Sequence, residues 1–295
     1  MTAQSLLASG LAPAKLNLGL RVLRKRPDGY HDIESEMQTI SIFDRIDIHG
    51  PGSGLVHVMN AHEPIHDNLV HQAASLLAGE LNRNLDVDFT LRKRIPISTG
   101  LGGGSSDAAT ALMLLAVHWN LPPDHPAIVT TAIRTGSDVS FFLTGGRALA
   151  TGRGDQISSV SVNKRIWFLV LVPKMQIHRK TATLYSALRP SDFSRLPQVP
   201  VEPLTGLILH NTFAEPLYNL APQLPSILDH VQQLTGNRPY LSGSGPAHFL
   251  PVASLDRALP VMRLIASSRY AREVSCFVAQ TVGSRGPLRR HRNPS

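Results

Sequence analysis

The amino-acid sequence predicts an α+β protein of two domains, each a mixed sheet packed with helices. The chain has 295 residues, roughly twice the ~150 residues typical of one domain. Hydrophobic residues make up 42% of it, enough for a substantial core. Segments with strand and helix periodicity follow one another in mixed order, as in α+β folds. We expect domains over residues 1–160 and 161–284, followed by a basic tail over 285–295.

The first element is a half-buried strand. Apolar residues alternate with others over residues 14–22, the period of a strand with one buried face. Lys15 and Asn17 therefore lie on the opposite face. A Pro-Asp-Gly turn at 27–29 then predicts a hairpin-like reversal that brings the following residues back toward that face.

Further elements follow the same rules of periodicity and turn residues. In the first domain we predict strands near 39–48, 55–59 and 87–91, a strand followed by a turn over 148–154, and helices from about 68, at 106–118 and at 126–134. In the second domain we predict, in order, a strand at 166–172, helices at 181–188 and 227–234, a further strand and helix, and a strand at 273–278.

A glycine-rich segment, Pro96 to Ala109, carries the clearest functional signal. Four glycines lie between a predicted strand and a predicted helix. Glycine lets backbone N–H groups approach a ligand that a β-carbon would block, and the N-terminus of a helix favours phosphate. We therefore predict a polyphosphate site here, with a capped turn or linker as the alternative.

Two other nucleotide-binding motifs do not fit this loop. After Gly104 come two serines and an aspartate, so the Gly-Lys-Ser/Thr of a P-loop is missing. A dinucleotide fingerprint starting at Gly100 would need a third glycine at position 105, where the chain has serine. A dehydrogenase is therefore disfavoured.

Composition narrows the class further. The single Cys276 excludes a disulfide within the chain, and no apolar run approaches the ~18 residues that span a membrane. No signal peptide is evident, so we expect a cytoplasmic protein. Four of the positive charges behind the net +8 lie in the tail, which we expect to be disordered rather than to bind nucleic acid: Arg285, Arg289, Arg290 and Arg292.

Three ordered motifs resemble those of the GHMP kinase superfamily. Residues 96–109 resemble its phosphate loop, Pro13 to Leu18 its first motif, and Leu241 to Pro246 its glycine-rich third motif. The resemblance implies a two-domain GHMP-kinase-like fold with the active site in the cleft between the domains. It also implies ATP as co-substrate and Mg²⁺.

A closer resemblance is to the branch that phosphorylates the 2-hydroxyl of a methylerythritol attached to CDP, in the non-mevalonate route to isoprenoid precursors. It is carried by Arg26 to His31, Gly136 to Phe142 and Thr151 to Asp155. It implies CDP-methylerythritol as the small-molecule substrate. The alternatives are a superfamily kinase for another alcohol, such as mevalonate, homoserine or a sugar, or a basic non-catalytic nucleic-acid-binding protein. We expect no nucleic-acid or membrane partner, and a monomer or weak homodimer.

The resemblance also assigns roles by position. It implies that Asp138 is the general base and that Lys15 contacts both this carboxylate and the reacting oxygens. For the acceptor it implies Asn17, Tyr30, His31, Thr181 and Tyr185, with the two tyrosines sandwiching cytosine and His31 bonding a base edge. For ATP it implies Asn68, Lys93, Pro96, Ile97, Ser98, Thr99, Gly100, Leu101, Gly102, Gly103, Gly104, Ser105 and Ser106. Ser106 is the candidate Mg²⁺ ligand. For Asn68 and Lys93 a helix cap and a surface cation are equally good interpretations.

Overall fold

The computed structural model describes residues 4–59, 68–161, 164–193, 201–283 and 286–291. Its strands are β1 (Ser5–Lys25), β2 (His31–Gly50), β3 (Val56–Met59), β4 (Asp88–Arg92), β5 (Arg147–Thr151), β6 (Gln156–Val160), β7 (Trp167–Pro173), β8 (Tyr240–Leu241), β9 (His248–Val252), β10 (Val274–Gln280) and β11 (Leu288–Arg290). Its α-helices are α1 (Leu69–Glu80), α2 (Gly103–Trp119), α3 (Pro126–Thr135), α4 (Ser137–Thr144), α5 (Lys180–Ala187), α6 (Ala214–Leu220), α7 (Leu224–Thr235) and α8 (Leu255–Ala266). These elements confirm the α+β class.

The larger sheet has the strand order β11-β1-β2-β4-β3, with β5 paired to β2 and β6 to β5. Its longest strands, β1 and β2, form an antiparallel hairpin. Apolar side chains from this sheet and from helices α1 to α4 form one buried cluster that includes Leu77, Phe89, Leu112 and Phe141. This packing holds α2 and α4 in place, and the N-termini of these two helices reach the site described below.

The smaller sheet has the order β10-β7-β9-β8 and is antiparallel throughout. One buried cluster joins it to the long hairpin, because Leu16 and Ile40 pack with Phe168 and Phe249. Isolated bridges also link β1 to the chain at Asn211 and β2 to the chain at Thr281. The hairpin is therefore shared by both halves of the fold.

Most of the predicted elements are confirmed, including the hairpin. The predicted boundary at residue 160 falls between β6 and β7, and the division into domains stays a prediction. Four of the described elements were not predicted at all: β6, α4, α6 and β11. One predicted strand before α8 corresponds to two, β8 and β9. Helix α2 also begins at Gly103 rather than near residue 106.

The expectation of a disordered tail is wrong for residues 288–290. These residues form β11, which pairs antiparallel with β1, and the Arg290 guanidinium donates to Asn120 Oδ1 at 2.9 Å. A free strand edge on β1 was available for this pairing. Arg285 and Arg292 lie outside the described residues.

In the part of the chain that the structure describes, no helix combines the length and the hydropathy that a bilayer crossing requires.

Candidate active site

A cleft of about 1720 Å³ lies where the three sequence motifs meet. Its walls come from β1, the loop before α2, the start of α4, the start of α5 and the turn over residues 242–246. Backbone hydrogen bonds join these parts: Lys15 N donates to Leu101 O at 2.9 Å, and Ala247 N donates to Thr99 O at 2.9 Å. Motifs far apart in sequence thus form one surface.

Lys15 and Asp138 face each other in this cleft. The Lys15 Nζ lies 3.3 Å from Asp138 Oδ2, and the side chains are 4% and 38% exposed respectively. Lys15 also donates to Asn17 Oδ1. The Asn17 Nδ2 donates to Ser35 Oγ at 2.7 Å, and Ser35 Oγ donates to Gly19 O at 2.8 Å. A chain of hydrogen bonds therefore fixes the ammonium, while the carboxylate stays open to the cleft.

Asp138 owes its position to a helix start. It lies in the first turn of α4, and Gly136 is both the C-cap of α3 and the N-cap of α4. The unpaired N–H groups of a first helical turn favour a negative side chain. The sequence interpretation placed Asp138 after a helix end, and the structure adds that a second helix starts there.

The glycines of the loop allow close approach between the motifs. Gly100 has a φ of +87°, and a β-carbon on it would lie 2.4 Å from Ser242 O. Gly102 has a φ of +72°, and its β-carbon would lie 2.9 Å from Lys15 Cγ. Gly102 caps α2 without a side-chain hydrogen bond. The first N–H groups of α2 therefore have no partner within the helix and are available to an anion.

The predicted ATP-binding residues fall into two groups. Ile97, Ser98, Gly100 and Gly102 line the cleft, whereas the remaining ones do not: Asn68, Lys93, Pro96, Thr99, Leu101, Gly103, Gly104, Ser105 and Ser106. Within the second group, the Thr99 hydroxyl closes the turn by donating to Pro96 O at 2.8 Å, and Leu101 is a core residue. Ser106 is fully buried, and its Oγ has no hydrogen-bond partner among the described residues.

Lys93 is not a surface cation. Its ammonium is buried between two carboxylates, donating to Asp44 Oδ2 and, at 2.6 Å, to Asp107 Oδ2. Burial lowers the pKa of Lys93, and the charges of Asp107 and Asp44 more than offset this, so that the pKa is raised. Burial also raises the pKa of Asp107 well above its ordinary value. The ammonium is thus committed to protein partners, and a direct contact with ATP stays a prediction without geometric support.

Asn68 matches its alternative interpretation. Its Oδ1 accepts from Val70 N at 2.9 Å, which caps the N-terminus of α1. A contact with ATP stays a prediction.

The predicted acceptor residues Asn17, Tyr30, His31, Thr181 and Tyr185 all line the cleft. The His31 and Tyr185 rings are stacked, with centroids 4.7 Å apart and planes at 23°. Burial, with a smaller effect of Lys25, lowers the pKa of His31. Burial, with a smaller effect of Asp138, raises the pKa of Tyr185 to about 12.

The cytosine sandwich is not preformed. His31 occupies one face of Tyr185, and a centroid separation of 4.7 Å leaves no room for a third ring between them. Tyr30 is 57% exposed, and the guanidinium carbon of Arg153 lies 4.7 Å from its ring centroid. The sandwich stays a prediction that requires one of these rings to move. Thr181 Oγ1 lies 3.0 Å from Ser244 Oγ, at the third motif.

Sequence reasoning assigned no role to several side chains of the cleft, among them Ser35, Arg153 and Lys180. Arg153 lies in the Thr151–Asp155 segment that carries the resemblance, but it was given no role, and it lines the cleft. Lys180 lies one position before the predicted start of its helix. A signal for Lys180 existed, since it directly precedes Thr181, whose role the resemblance had assigned.

Comparison with known proteins first defines the class. Residues 68–146 match the family described as GHMP kinases N terminal domain. Crystal structures of a homoserine kinase from Cytophaga hutchinsonii (TM-score 0.68, 13% identity, 98% of both chains) and of a mevalonate kinase (TM-score 0.63, 14% identity, 92% of this chain and 98% of that one) share the fold. The two structures show the same fold, and the family match together with the motifs around the cleft indicates the class of GHMP kinases.

More similar relatives identify the family. The chain is 36% identical to the 4-diphosphocytidyl-2-C-methyl-D-erythritol kinase of Shouchella clausii over 81% of this chain and 83% of that protein, and 34% identical to that of Bacillus subtilis over 81% and 86%. A crystal structure of 4-(cytidine 5'-diphospho)-2C-methyl-D-erythritol kinase matches with a TM-score of 0.75 at 31% identity, covering 95% of this chain and 100% of that one. The chain belongs to the 4-diphosphocytidyl-2-C-methyl-D-erythritol kinase family.

Proposed function

We propose that the protein transfers the γ-phosphoryl group of ATP to the 2-hydroxyl of 4-diphosphocytidyl-2-C-methyl-D-erythritol. The observation that carries this proposal is the Lys15–Asp138 pair, 3.3 Å apart and open to a cleft that the glycine-rich loop also lines. The names of the relatives supply the acceptor, which the geometry alone does not define. The homoserine, mevalonate and putative sugar kinases that match this chain, at 12–14% identity, share its fold.

Phosphoryl transfer requires mainly positioning and charge stabilisation, because its transition state is loose. In our proposal the acceptor hydroxyl lies beside Asp138, which takes up its proton as the bond to phosphorus forms. Lys15 stabilises the negative charge that collects on the transferred oxygens. The hydrogen bond from Lys15 to Asn17 holds the ammonium in place for this task.

The polyphosphate of ATP belongs on the other wall of the cleft. Gly100 and Gly102 allow the backbone to approach it without β-carbons, and α2 points its first turn toward the loop. This arrangement binds phosphate through N–H groups and the helix dipole. We propose that residues 96–106 perform this role, some by direct contact and others, such as Thr99 and Leu101, by fixing the loop.

Mg²⁺ would neutralise charge on the β- and γ-phosphates when it is bound. Ser106 fits as a ligand chemically, because its buried Oγ has no hydrogen-bond partner among the described residues. In that same part of the chain, no three His, Cys, Asp or Glu side chains come together as a metal site. We therefore propose that phosphate and water oxygens supply most of the ligands, as is usual for Mg²⁺.

For the acceptor we propose contacts by Asn17, Tyr30, His31, Thr181 and Tyr185, which share the cleft with the catalytic pair. Aromatic rings stack on bases, and a histidine nitrogen bonds a base edge. We also propose that the protein acts in the cytoplasm, with which its single cysteine is compatible, and that it is a monomer or weak homodimer without nucleic-acid or membrane partners.

The test is ADP release in the presence of ATP and Mg²⁺, measured with 4-diphosphocytidyl-2-C-methyl-D-erythritol and, separately, with mevalonate, homoserine and galactose. We expect turnover with the first acceptor alone, and loss of that turnover in the Asp138→Asn variant. Turnover of one of the other alcohols, with none for the CDP-linked acceptor, would refute the assignment.

A further inference from the structure

Lys180 is a buried lysine at the junction of the two glycine-rich loops. It is the first residue of α5 and follows Arg179, whose φ is +48°. Its Nζ donates to the carbonyl oxygen of Ser98 at 2.8 Å and to that of Gly245. The first carbonyl belongs to the loop before α2 and the second to the turn of the third motif, so the ammonium lies where both loops border the cleft.

The charge of this ammonium has no counter-ion in the described structure. Burial, together with the nearby charge of Lys15, lowers the pKa of Lys180 to about 8, and no carboxylate acts in the opposite direction. Burying a cation beside another cation costs free energy. Sites with such an uncompensated positive charge are suited to an anion, which restores the balance when it binds.

We propose that Lys180 is a further phosphate-binding residue of this cleft. An ammonium has three N–H donors, of which two are used by Ser98 and Gly245, so one remains for a phosphate oxygen. The inference rests on the proposed function, which brings phosphate to the cleft from two sources: the triphosphate of ATP and the diphosphate of the acceptor. Both present the same oxyanion chemistry to Lys180.

A binding experiment distinguishes the two sources. The dissociation constants of ADP with Mg²⁺, and of CDP, are measured by calorimetry for the wild type and for Lys180→Met, Lys180→Arg and Lys174→Met. Lys174 is an exposed lysine six positions earlier, outside the cleft lining, so its variant loses the same charge without touching the site. A hydrogen bond to a charged group changes affinity roughly tenfold to hundredfold.

We expect Lys180→Met to weaken one of the two ligands by that factor, Lys180→Arg to retain most of the affinity, and Lys174→Met to equal the wild type. Loss for ADP assigns Lys180 to the polyphosphate of ATP, and loss for CDP assigns it to the acceptor. Unchanged affinity for both ligands in Lys180→Met overturns the proposal, and Lys180 then only ties the two loops together.

A second measurement separates binding from a structural effect. Each variant's thermal midpoint is recorded with and without the ligand, and the ligand-induced shift is compared with that variant's own baseline. A smaller shift in Lys180→Met supports the proposal, whereas a lower baseline with an undiminished shift contradicts it.

The pH dependence gives a third readout. The charged and titratable side chains that line the cleft with Lys180 include Lys15 of β1, Asp138 of α4, Tyr185 of α5, and His178 and Arg179 directly before α5, whereas the two loops contain none over residues 96–102 and 242–246. A lysine with a pKa of about 8 is charged below that pH and neutral above it. The wild type's affinity for the ligand in question should therefore fall as the pH rises past about 8, and the affinity of Lys180→Met should not.

These binding measurements need no turnover. Should the protein fail to phosphorylate the CDP-linked acceptor while Lys180→Met still loses affinity for ADP, the proposed function fails and the phosphate-binding role stands.

Discussion

Replacing Lys93 by methionine would leave two buried carboxylates without their cation. Lys93 Nζ contacts Asp44, which is fully buried, and Asp107, which is nearly so. Asp44 Oδ1 additionally accepts from the backbone N–H groups of Arg94 and Ile95, at the entrance to the glycine-rich loop. The three charged side chains therefore join β2, the end of β4 and the first turns of α2.

Removing one partner from a buried ion pair costs about 3–5 kcal/mol, because the remaining charge is buried without compensation. The free energy of unfolding of native domains is only about 5–15 kcal/mol, so Lys93→Met should remove a large fraction of it. For a chain of this size the thermal midpoint should fall by roughly 10 °C. Methionine has a similar length, so a cavity contributes little to this loss.

The assay is thermal and urea unfolding of the wild type and Lys93→Met at several pH values. Burial raises the folded-state pKa of Asp107 well above 3.8. A group with a raised folded-state pKa stabilises the fold below its unfolded pKa, and this contribution is lost as the pH rises through the folded value. The charge of Lys93 lowers the folded-state pKa of Asp107, so this pKa should rise further in Lys93→Met. The stability deficit of the variant should therefore narrow as the pH falls toward 4 and widen above it.

The matched control is Arg92→Met, the neighbouring cation, whose side chain is 57% exposed and pairs with Asp47 only at 3.9 Å. An exposed pair of this kind contributes at most about 1 kcal/mol. Equal stabilities of Lys93→Met and Arg92→Met at pH 7 would refute the reasoning.

Three further substitutions test the site. Asp138→Asn should lower turnover by two or more powers of ten with an unchanged thermal midpoint; near-normal turnover would reject the base. Gly100→Ala places a β-carbon 2.4 Å from a backbone oxygen at a φ of +87°, and this variant should lower turnover about a hundredfold. The control Gly79→Ala, whose β-carbon would meet no atom within 4 Å, should stay fully active. Tyr185→Ala should raise the KM for the CDP-linked acceptor roughly tenfold or more and leave the KM for ATP unchanged; equal effects on both would contradict a base contact.

Local patterns were sufficient to predict much of this fold. The alternation after residue 14 predicted β1 and the shared face of Lys15 and Asn17, and the turn at 27–29 predicted the hairpin. The strand–glycine–helix order predicted the loop and α2. Each of these signals lies within about twenty residues, where periodicity and turn chemistry act directly.

What was missed depends on contacts between distant residues or on weak local signals. No local sequence signal indicated that Lys93 is buried, because its carboxylate partners Asp44 and Asp107 lie 49 and 14 positions away. Helix α4 is eight residues long and starts where α3 ends, so Gly136 indicated only a stop. Strand β11 forms in a polar, proline-containing tail because the edge of β1 offers it hydrogen bonds.

The shared β1–β2 hairpin couples the stabilities of the two sheets. It pairs with strands of the larger sheet along its length, and at the same time its apolar face is buried against the smaller one. Neither sheet can melt without exposing a surface that stabilises its neighbour, so heating should reveal a single cooperative transition. Because three of the four strands of the smaller sheet lie at or after residue 240, this sheet and the cleft wall next to it form only after the last fifth of the chain is made.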